Sequence, residues 1–302
     1  MMMCERTVKI FLERGSLINM NVVIALIPAL LWGLVPLLVV KIGGEPIQQQ
    51  LGTAFGCGIF AVVIYIIVRP EATLPIIVGC IISGIGWSVG QLMQYMSYRI
   101  LGTSTGFALS ISFEMVLNAL VAVLILREWN GVFEVCLGSA AIAAVVAGGW
   151  LTVYTEQREK RDLKKGIIVL FIGACGLVTW NVAVRVVGAG GFSAVLPQGV
   201  GMVLGSLIPC SFVGGKSVKK FDKITVKQII PGLAYACANF ALIFSNLLNG
   251  VAIGYTTAQL SLAVQTVLAL TVFHEKRTKN ELIHSISGVI LITLGCMMIG
   301  FT

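Results

Sequence analysis

The sequence predicts an all-α membrane protein of ten transmembrane helices, arranged as two five-helix repeats of opposite orientation. Ten apolar stretches of about twenty residues fill the 302-residue chain, charged residues make up only 11% of it, and scarce residues recur at a fixed spacing. A helix rises about 1.5 Å per residue, so twenty residues cross the roughly 30 Å hydrocarbon core of a bilayer. Because a soluble domain carries about 25% charged residues, we expect most of this chain to lie in lipid.

Short polar breaks separate the ten predicted spans. The spans lie at residues 22–40, 48–68, 74–98, 105–125, 131–154, 166–187, 191–213, 228–248, 255–273 and 282–301. Transmembrane β-strands alternate polar and apolar residues, and these segments do not, which favours helices. The 34 glycines predict close helix contacts, since small residues allow two backbones to approach each other.

The basic residues are distributed unevenly between the two ends of the predicted bundle. The termini and the loops after even-numbered spans hold six Lys and Arg residues, and the other loops hold fifteen. By the positive-inside rule the richer loops are cytoplasmic, so we expect a multi-pass protein of the cell membrane with both termini extracellular. Despite the net charge of +8, a nucleic-acid partner is not expected, because these residues flank spans and face lipid headgroups.

The two halves of the chain align when the sequence is shifted by 148 residues. The aligned residues are Trp32 with Trp180, Gln50 with Gln198, Gly84 with Gly232, Trp87 with Tyr235, and Gln91 with Asn239. Each half holds five spans, an odd number, so the second half must enter the membrane from the opposite face. We predict a polar extension at residues 1–19, with Met20 as an alternative start, a first repeat at 20–154, a basic linker at 155–165 and a second repeat at 166–302.

Inverted repeats of this kind recur in transporters, with the substrate site between the halves near the middle of the membrane. Glu114, near the middle of the fourth span, is the side chain that costs the most free energy to place inside the membrane. An ionised carboxylate at a helix centre costs about 2.5 to 3.5 kcal/mol on insertion scales, so such residues usually face a cavity or take up a proton. One interpretation is a proton-coupling carboxyl. The alternative is a neutral Glu that helps to pack helices, hydrogen-bonded to Asn118 one turn on.

The third span contains a polar face within the sequence WSVGQLMQY. Trp87, Gln91, Gln94 and Tyr95 recur there at helical spacing. An aromatic ring covers the apolar face of a sugar while amides exchange hydrogen bonds with its hydroxyls, so this set suits a neutral polyol. The alternative interpretation is that the amides join helices and the aromatic residue lies at the interface.

Further candidates for the same cavity lie in both halves of the chain. They are Trp32, Pro36, Gln50, Trp180, Asn181, Gln198, Tyr235, Asn239 and Gln259. Pro36 is expected to break the first helix and Pro197 the seventh, because proline removes a backbone donor, and broken helices often border transport sites. A simple packing kink is the alternative.

Sequence motifs give no support for an enzyme. There is no HExxH or phosphate-loop motif, and the eight cysteines include no CxxC pair. Only two histidines occur. We therefore expect no catalytic residue, metal or cofactor.

Several segments carry a family resemblance that runs from about residue 20 to the C-terminus. They read ALIPALLWGLVPLLVVKIGGEPIQQQLGTAFG, GWSVGQ, EW, LPQGVGM, NGVAIGYTTAQ and HEKRTKNE. On these segments the chain resembles the glucose/ribose uptake family of the drug/metabolite transporter superfamily. The resemblance implies uptake of a neutral monosaccharide by proton symport, on a drug/metabolite transporter-like fold. We expect a monomer or a homodimer.

The resemblance also implies site residues. They are Trp32, Gly33, Pro36, Gln50, Trp87, Gln91, Pro197, Gln198 and Gln259. The chain departs from the family pattern in the fourth span, where Glu114 stands in place of an amide. Two other functions are considered: an exporter of amino acids or other small metabolites on the same fold, and a membrane scaffold or sensor, which predicts no central cavity.

Overall fold

The computed structural model describes residues 23–125, 127, 129, 131–156, 162–211, 219–249, 254, 257–275 and 277–301. The predicted extension at residues 1–19, the alternative start Met20 and residues 157–161 of the predicted linker lie outside the described residues. Within the described part, all regular elements are helical. The predicted all-α class is confirmed.

The helices follow one another with short connections. Their bounds are α1 Val23–Ile42, α2 Pro46–Val68, α3 Leu74–Leu101, α4 Thr103–Leu124, α5 Val132–Thr152, α6 Leu163–Val186, α7 Val195–Leu207, α8 Lys223–Lys227, α9 Ile229–Asn249, α10 Ser261–Thr271 and α11 Lys279–Ile299. Two 3₁₀ segments, Gly191–Ala194 and Ile208–Ser211, flank α7.

Nine segments of the described chain are long and apolar enough to cross a bilayer. They are α1 to α6, Gly191–Cys210 around α7, Lys223–Ser245 from α8 into α9, and α11. At the predicted ninth span the structure describes α10, whose 11 residues extend about 17 Å. The multi-pass membrane fold is confirmed, with nine described spans and one shorter apolar helix at the ten predicted positions.

We expected two prolines to break their helices, and neither does. The helix α1 continues on both sides of Pro36, and Pro197 lies in the first turn of α7. A proline in a first turn removes a donor that the helix would leave unpaired in any case. At Pro36 the expected break is wrong because a helix packed among neighbours tolerates one missing backbone bond.

Two glycines at matched positions let the halves pack closely. A Cβ on Gly84 of α3 would lie 2.2 Å from the carbonyl oxygen of Gln198 in α7, and one on Gly232 of α9 would lie 2.3 Å from that of Thr53 in α2. A side chain at either position would separate these backbones. The reciprocal contacts are compatible with an inverted repeat in the predicted register, which stays our hypothesis.

Polar contacts at one end of the bundle hold α1 in place. Gln228, just before α9, donates from Nε2 to the carbonyl oxygens of Val39 and Gly43 at 2.9 and 2.8 Å. Nearby, the Arg99 guanidinium donates to both carboxylate oxygens of Glu45, at 2.5 and 2.9 Å. These bonds tie the last turn of α1 and the turn into α2 to α3 and α9, and thereby position the face of α1 that lines the site.

Candidate functional site

A cavity of about 200 Å³ lies inside the bundle. Its walls come from α1, α3, α4, α6 and α9 and from the residues around the start of α10, so both predicted halves contribute. The lining residues are Trp32, Val35, Pro36, Gln91, Gln94, Phe107, Ile111, Glu114, Met115, Leu177, Trp180, Asn181, Tyr235, Leu242, Gln259 and Ser261.

Glu114 of α4 lies on the wall of this cavity, half-buried. Its Oε1 accepts a 3.0 Å hydrogen bond from Nδ2 of Asn181 in α6. The partner is therefore Asn181, and not Asn118 as the packing interpretation expects. Since α4 precedes the predicted linker and α6 follows it, this bond joins the two predicted halves across the cavity.

Two glutamines of α3 form a directed hydrogen-bond chain along another wall. Gln91 donates from Nε2 to Gln94 Oε1 at 2.7 Å, and Gln94 donates from Nε2 to Ser110 Oγ of α4 at 2.9 Å. The side chains are only 4% and 7% exposed. Both amides are therefore oriented before a solute arrives, which is typical of a pre-formed binding site.

Aromatic rings form much of the remaining wall. The ring centroids of Trp32 and Tyr235 lie 6.1 Å apart, and Trp180 adjoins Asn181 on α6. The Nε1 atoms of Trp32 and Trp180 are buried and have no hydrogen-bond partner among the described residues. These two indole donors are therefore left unpaired inside the packing beside the wall.

Among the described residues that line the cavity, Glu114 is the one acidic side chain, and none is basic. The rest of the wall combines amides with aromatic and aliphatic groups. Such a surface can exchange hydrogen bonds with the hydroxyls of a small polyol and cover its C–H faces. The presence of this cavity argues against the scaffold alternative, which predicts none.

The structure brings many of the predicted site residues together. Trp32, Pro36, Gln91, Gln94, Glu114, Trp180, Asn181, Tyr235 and Gln259 line the cavity. Gln50, Trp87, Tyr95, Gln198 and Asn239 lie outside its wall and make other contacts. A role in binding stays a prediction for both groups.

Two of the residues outside the wall are amides that connect helices. Gln50 of α2 donates from Nε2 to Ser206 Oγ of α7 at 2.8 Å, and Gln198 of α7 donates from Nε2 to Ser83 Oγ of α3 at 2.9 Å. In each case the amide N–H donates to a serine on a helix of the other predicted half. These bonds are of the kind that the helix-joining interpretation expects.

The other three residues pack around the main cavity or line a smaller one. The rings of Trp87 and Tyr235 have centroids 5.2 Å apart, so Trp87 supports the wall from behind. The Tyr95 hydroxyl lies 3.1 Å from Thr53 Oγ1 in the core. Asn239 lines a second cavity of about 50 Å³, together with Gln198.

The aliphatic and phenyl part of the cavity wall was not predicted from the sequence. Ile111 and Phe107 precede Glu114 by three and seven residues and line the cavity with it. Leu177 likewise precedes Asn181 by four residues. Residues at these spacings share a helix face. The residues three, four and seven positions before each polar candidate could therefore have been predicted to line the cavity with it.

Comparisons with known proteins extend over nearly the whole chain. A model of the family described as "Sugar transport protein" matches residues 23–302. A Listeria monocytogenes protein named for sugar uptake is 40% identical over 284 residues, which cover 93% of this chain and 99% of the relative. The glucose uptake protein GlcU of Bacillus subtilis is 35% identical over 286 residues, with coverage of 93% and 98%. A protein of known crystal structure shares the fold, with a TM-score of 0.62, 13% identity, and coverage of 93% of this chain and 96% of that one.

Proposed function

The chain belongs to the sugar transport protein family, and from this premise we propose that it imports a neutral monosaccharide of the glucose or ribose type. Relatives that match along almost their whole length are named for sugar or glucose uptake. Membership of this family also means that the chain is a transporter and not an enzyme.

The composition of the cavity wall is the observation that carries the proposal. A monosaccharide ring has C–H faces and a rim of hydroxyls. The rings of Trp32 and Trp180 suit the faces, while the amides of Gln91, Asn181 and Gln259 suit the rim. The position of this wall between the two halves supports alternating access, in which one half rocks against the other around a central site.

Proton symport is the second part of the proposal, with Glu114 as the coupling carboxyl. A neutral sugar does not respond to the membrane potential, so a uniporter could only equilibrate it. One proton moved inward with each sugar gains about 2.3 kcal/mol per 100 mV and about 1.4 kcal/mol per pH unit. The bond from Asn181 to Glu114 joins the halves, so protonation of the carboxyl would alter a contact between them.

The orientation in the membrane follows from the basic residues. We propose that the end of the bundle with Glu45 and Arg99 faces the cytoplasm, together with the lysine-rich loop before α8. Both termini would then be extracellular, and the protein would lie in the cell membrane. Reactivity of single cysteines, introduced into a variant whose eight native cysteines are replaced, towards a membrane-impermeant thiol reagent in intact cells tests this orientation.

Uptake by the purified protein in proteoliposomes tests the proposal. Labelled glucose, ribose and other monosaccharides are supplied outside, with and without an imposed proton gradient that is acid outside. We expect at least one neutral sugar to accumulate only with the gradient and to re-equilibrate when a protonophore is added. Failure of every sugar to enter, with efflux of amino acids instead, would favour the exporter alternative and contradict the proposal.

A further inference from the structure

We infer that the cavity also accepts a monosaccharide that carries a protonated amine, with Glu114 as the partner of the ammonium group. This inference rests on the proposed function, since it names a second substrate class for the same site. The ammonium would take the place of the proton that accompanies a neutral sugar. In either case one positive charge would cross the membrane with each sugar.

The charge balance of the cavity favours a cation. Among the described lining residues Glu114 carries the sole formal charge. Arg185 follows Asn181 by one turn of α6 but is exposed and does not line the cavity. Of the described titratable groups on other helices, the Tyr235 hydroxyl and the Cys296 thiol interact electrostatically with Glu114, and neither can be positive. An ionised Glu114 would therefore have no cationic partner among the described residues until a substrate supplies one.

The hydrogen bonding of Glu114 leaves room for such a partner. Asn181 is its one hydrogen-bond partner in the described chain, and it occupies Oε1. A carboxylate has two oxygens with about four lone-pair directions, so several acceptor positions stay open. An ammonium group has three donors, and its bonds to a carboxylate are shorter and stronger than those of a neutral donor.

The aromatic wall adds a second feature that suits a cation. Trp32, Trp180 and Tyr235 line the same cavity as Glu114. The face of an aromatic ring attracts an ammonium group within about 6 Å of its centroid, and tryptophan does so most strongly. The amides of Gln91, Gln94 and Gln259 remain for the hydroxyls of the sugar. A carboxylate, aromatic faces and amides in one cavity together match an amino sugar.

The two substrate classes differ in what drives them. A neutral sugar needs a proton on Glu114, so its uptake responds to a pH gradient. An amino sugar brings its own charge and pairs with the ionised carboxylate, so its uptake responds to the membrane potential alone. At equilibrium a potential of 100 mV sustains about a 50-fold accumulation of a single charge.

Glucose and glucosamine form a matched pair for the test, because they differ only where a hydroxyl is replaced by an ammonium group. Proteoliposomes are given either an inside-negative potassium diffusion potential without a pH gradient, or a pH gradient with the potential clamped at zero. The buffer on both sides is acidic enough to keep the amine protonated. We expect the potential alone to drive labelled glucosamine towards the 50-fold limit, and the pH gradient alone to drive glucose but not glucosamine.

Two variants of Glu114 assign the effect to the carboxylate. Glu114→Gln should lose potential-driven glucosamine accumulation, whereas Glu114→Asp, which keeps the charge, should retain part of it. Gel filtration and thermal unfolding establish that each variant is folded. Equal glucosamine accumulation by Glu114→Gln and the unchanged protein would overturn the inference.

The glucose arm separates failure of the inference from failure of the proposed function. Uptake of glucose without any uptake of glucosamine by the unchanged protein overturns the inference and leaves the proposed function standing. Absence of uptake for both sugars overturns the inference, and it contradicts the proposed function as well when no other neutral monosaccharide, ribose included, is taken up.

Discussion

Gln91 and Gln50 are the same residue type, both in membrane-spanning helices and both buried, yet they lie in different kinds of surroundings. Gln91 belongs to the wall of the central cavity, where its amide is oriented by Gln94. Gln50 lies between α2 and α7, where its amide nitrogen is bonded to Ser206. We conclude that an amide inside the membrane is available to a solute only where the neighbouring helices leave space beside it.

The same contrast separates Asn181 from Gln198, another amide in the second half of the chain. Asn181 is bonded to Glu114 on the cavity wall, whereas Gln198 is bonded to Ser83 where α3 and α7 approach closely at Gly84. We therefore expect cavity residues to govern transport and inter-helix residues to govern stability.

The largest effect is expected at Glu114. In Glu114→Gln the side chain keeps its size but cannot exchange a proton, so the accumulation ratio of a neutral sugar under a proton gradient should fall to about one. Uptake of labelled sugar into proteoliposomes measures this ratio, with Glu114→Asp as the control that keeps a carboxyl. Normal accumulation by Glu114→Gln would show that the carboxyl is not the coupling group.

The second prediction compares the two glutamines directly. Loss of a buried hydrogen bond costs about 1 to 3 kcal/mol, and each variant loses one. Both should therefore lower the Tm, but Gln91→Ala should also raise the KM for sugar by about tenfold or more. Gln50→Ala should lower the Tm and leave uptake per folded molecule near that of the unchanged protein. The reverse result, with uptake lost in Gln50→Ala at an unchanged Tm, would place Gln50 in the site.

A third prediction concerns the glycine contacts between the halves. Gly84→Ala and Gly232→Ala each place a Cβ against a backbone carbonyl, and overpacking of this kind costs about 1 to 3 kcal/mol. Thermal unfolding should show a similar loss of stability for both, since the two positions are equivalent in the predicted repeat. Gly190→Ala is the control, because a Cβ there meets nothing within 4 Å and its φ of −136° suits any residue. A large effect of one substitution alone would argue against the equivalence.

The smallest effect is expected at the end of the bundle. The carboxylate of Glu45 and the guanidinium of Arg99 are 38% and 52% exposed, and exposed ion pairs contribute about 0 to 1 kcal/mol. Glu45→Gln should therefore lower the Tm only slightly, and less so at high salt. A loss of stability as large as that of Gly84→Ala would mean that this end contributes more to the fold than its exposure suggests.

The sequence predicted the helical class and most span positions because each depends on long runs of apolar residues. It also selected Glu114, Gln91 and Trp32, since polar and aromatic groups inside a membrane span are scarce. It could not separate Gln91 from Gln50, because that depends on which helix lies opposite. The bond between Asn181 and Glu114 could not be predicted either, since it joins two helices through residues that are 67 positions apart in the chain. The expected break of α1 at Pro36 follows from the missing backbone donor of proline alone. The sequence does not show the neighbouring helices, whose packing tolerates that missing bond.

The position of a bound monosaccharide decides whether the central cavity is the substrate site. An experimental structure of the protein with a transported sugar would locate it. We predict that the sugar lies in the cavity between Trp32 and Trp180, within hydrogen-bond distance of Gln91 or Asn181. A sugar bound instead in the small cavity beside Gln198 and Asn239, with the central cavity unchanged, would contradict the proposed site.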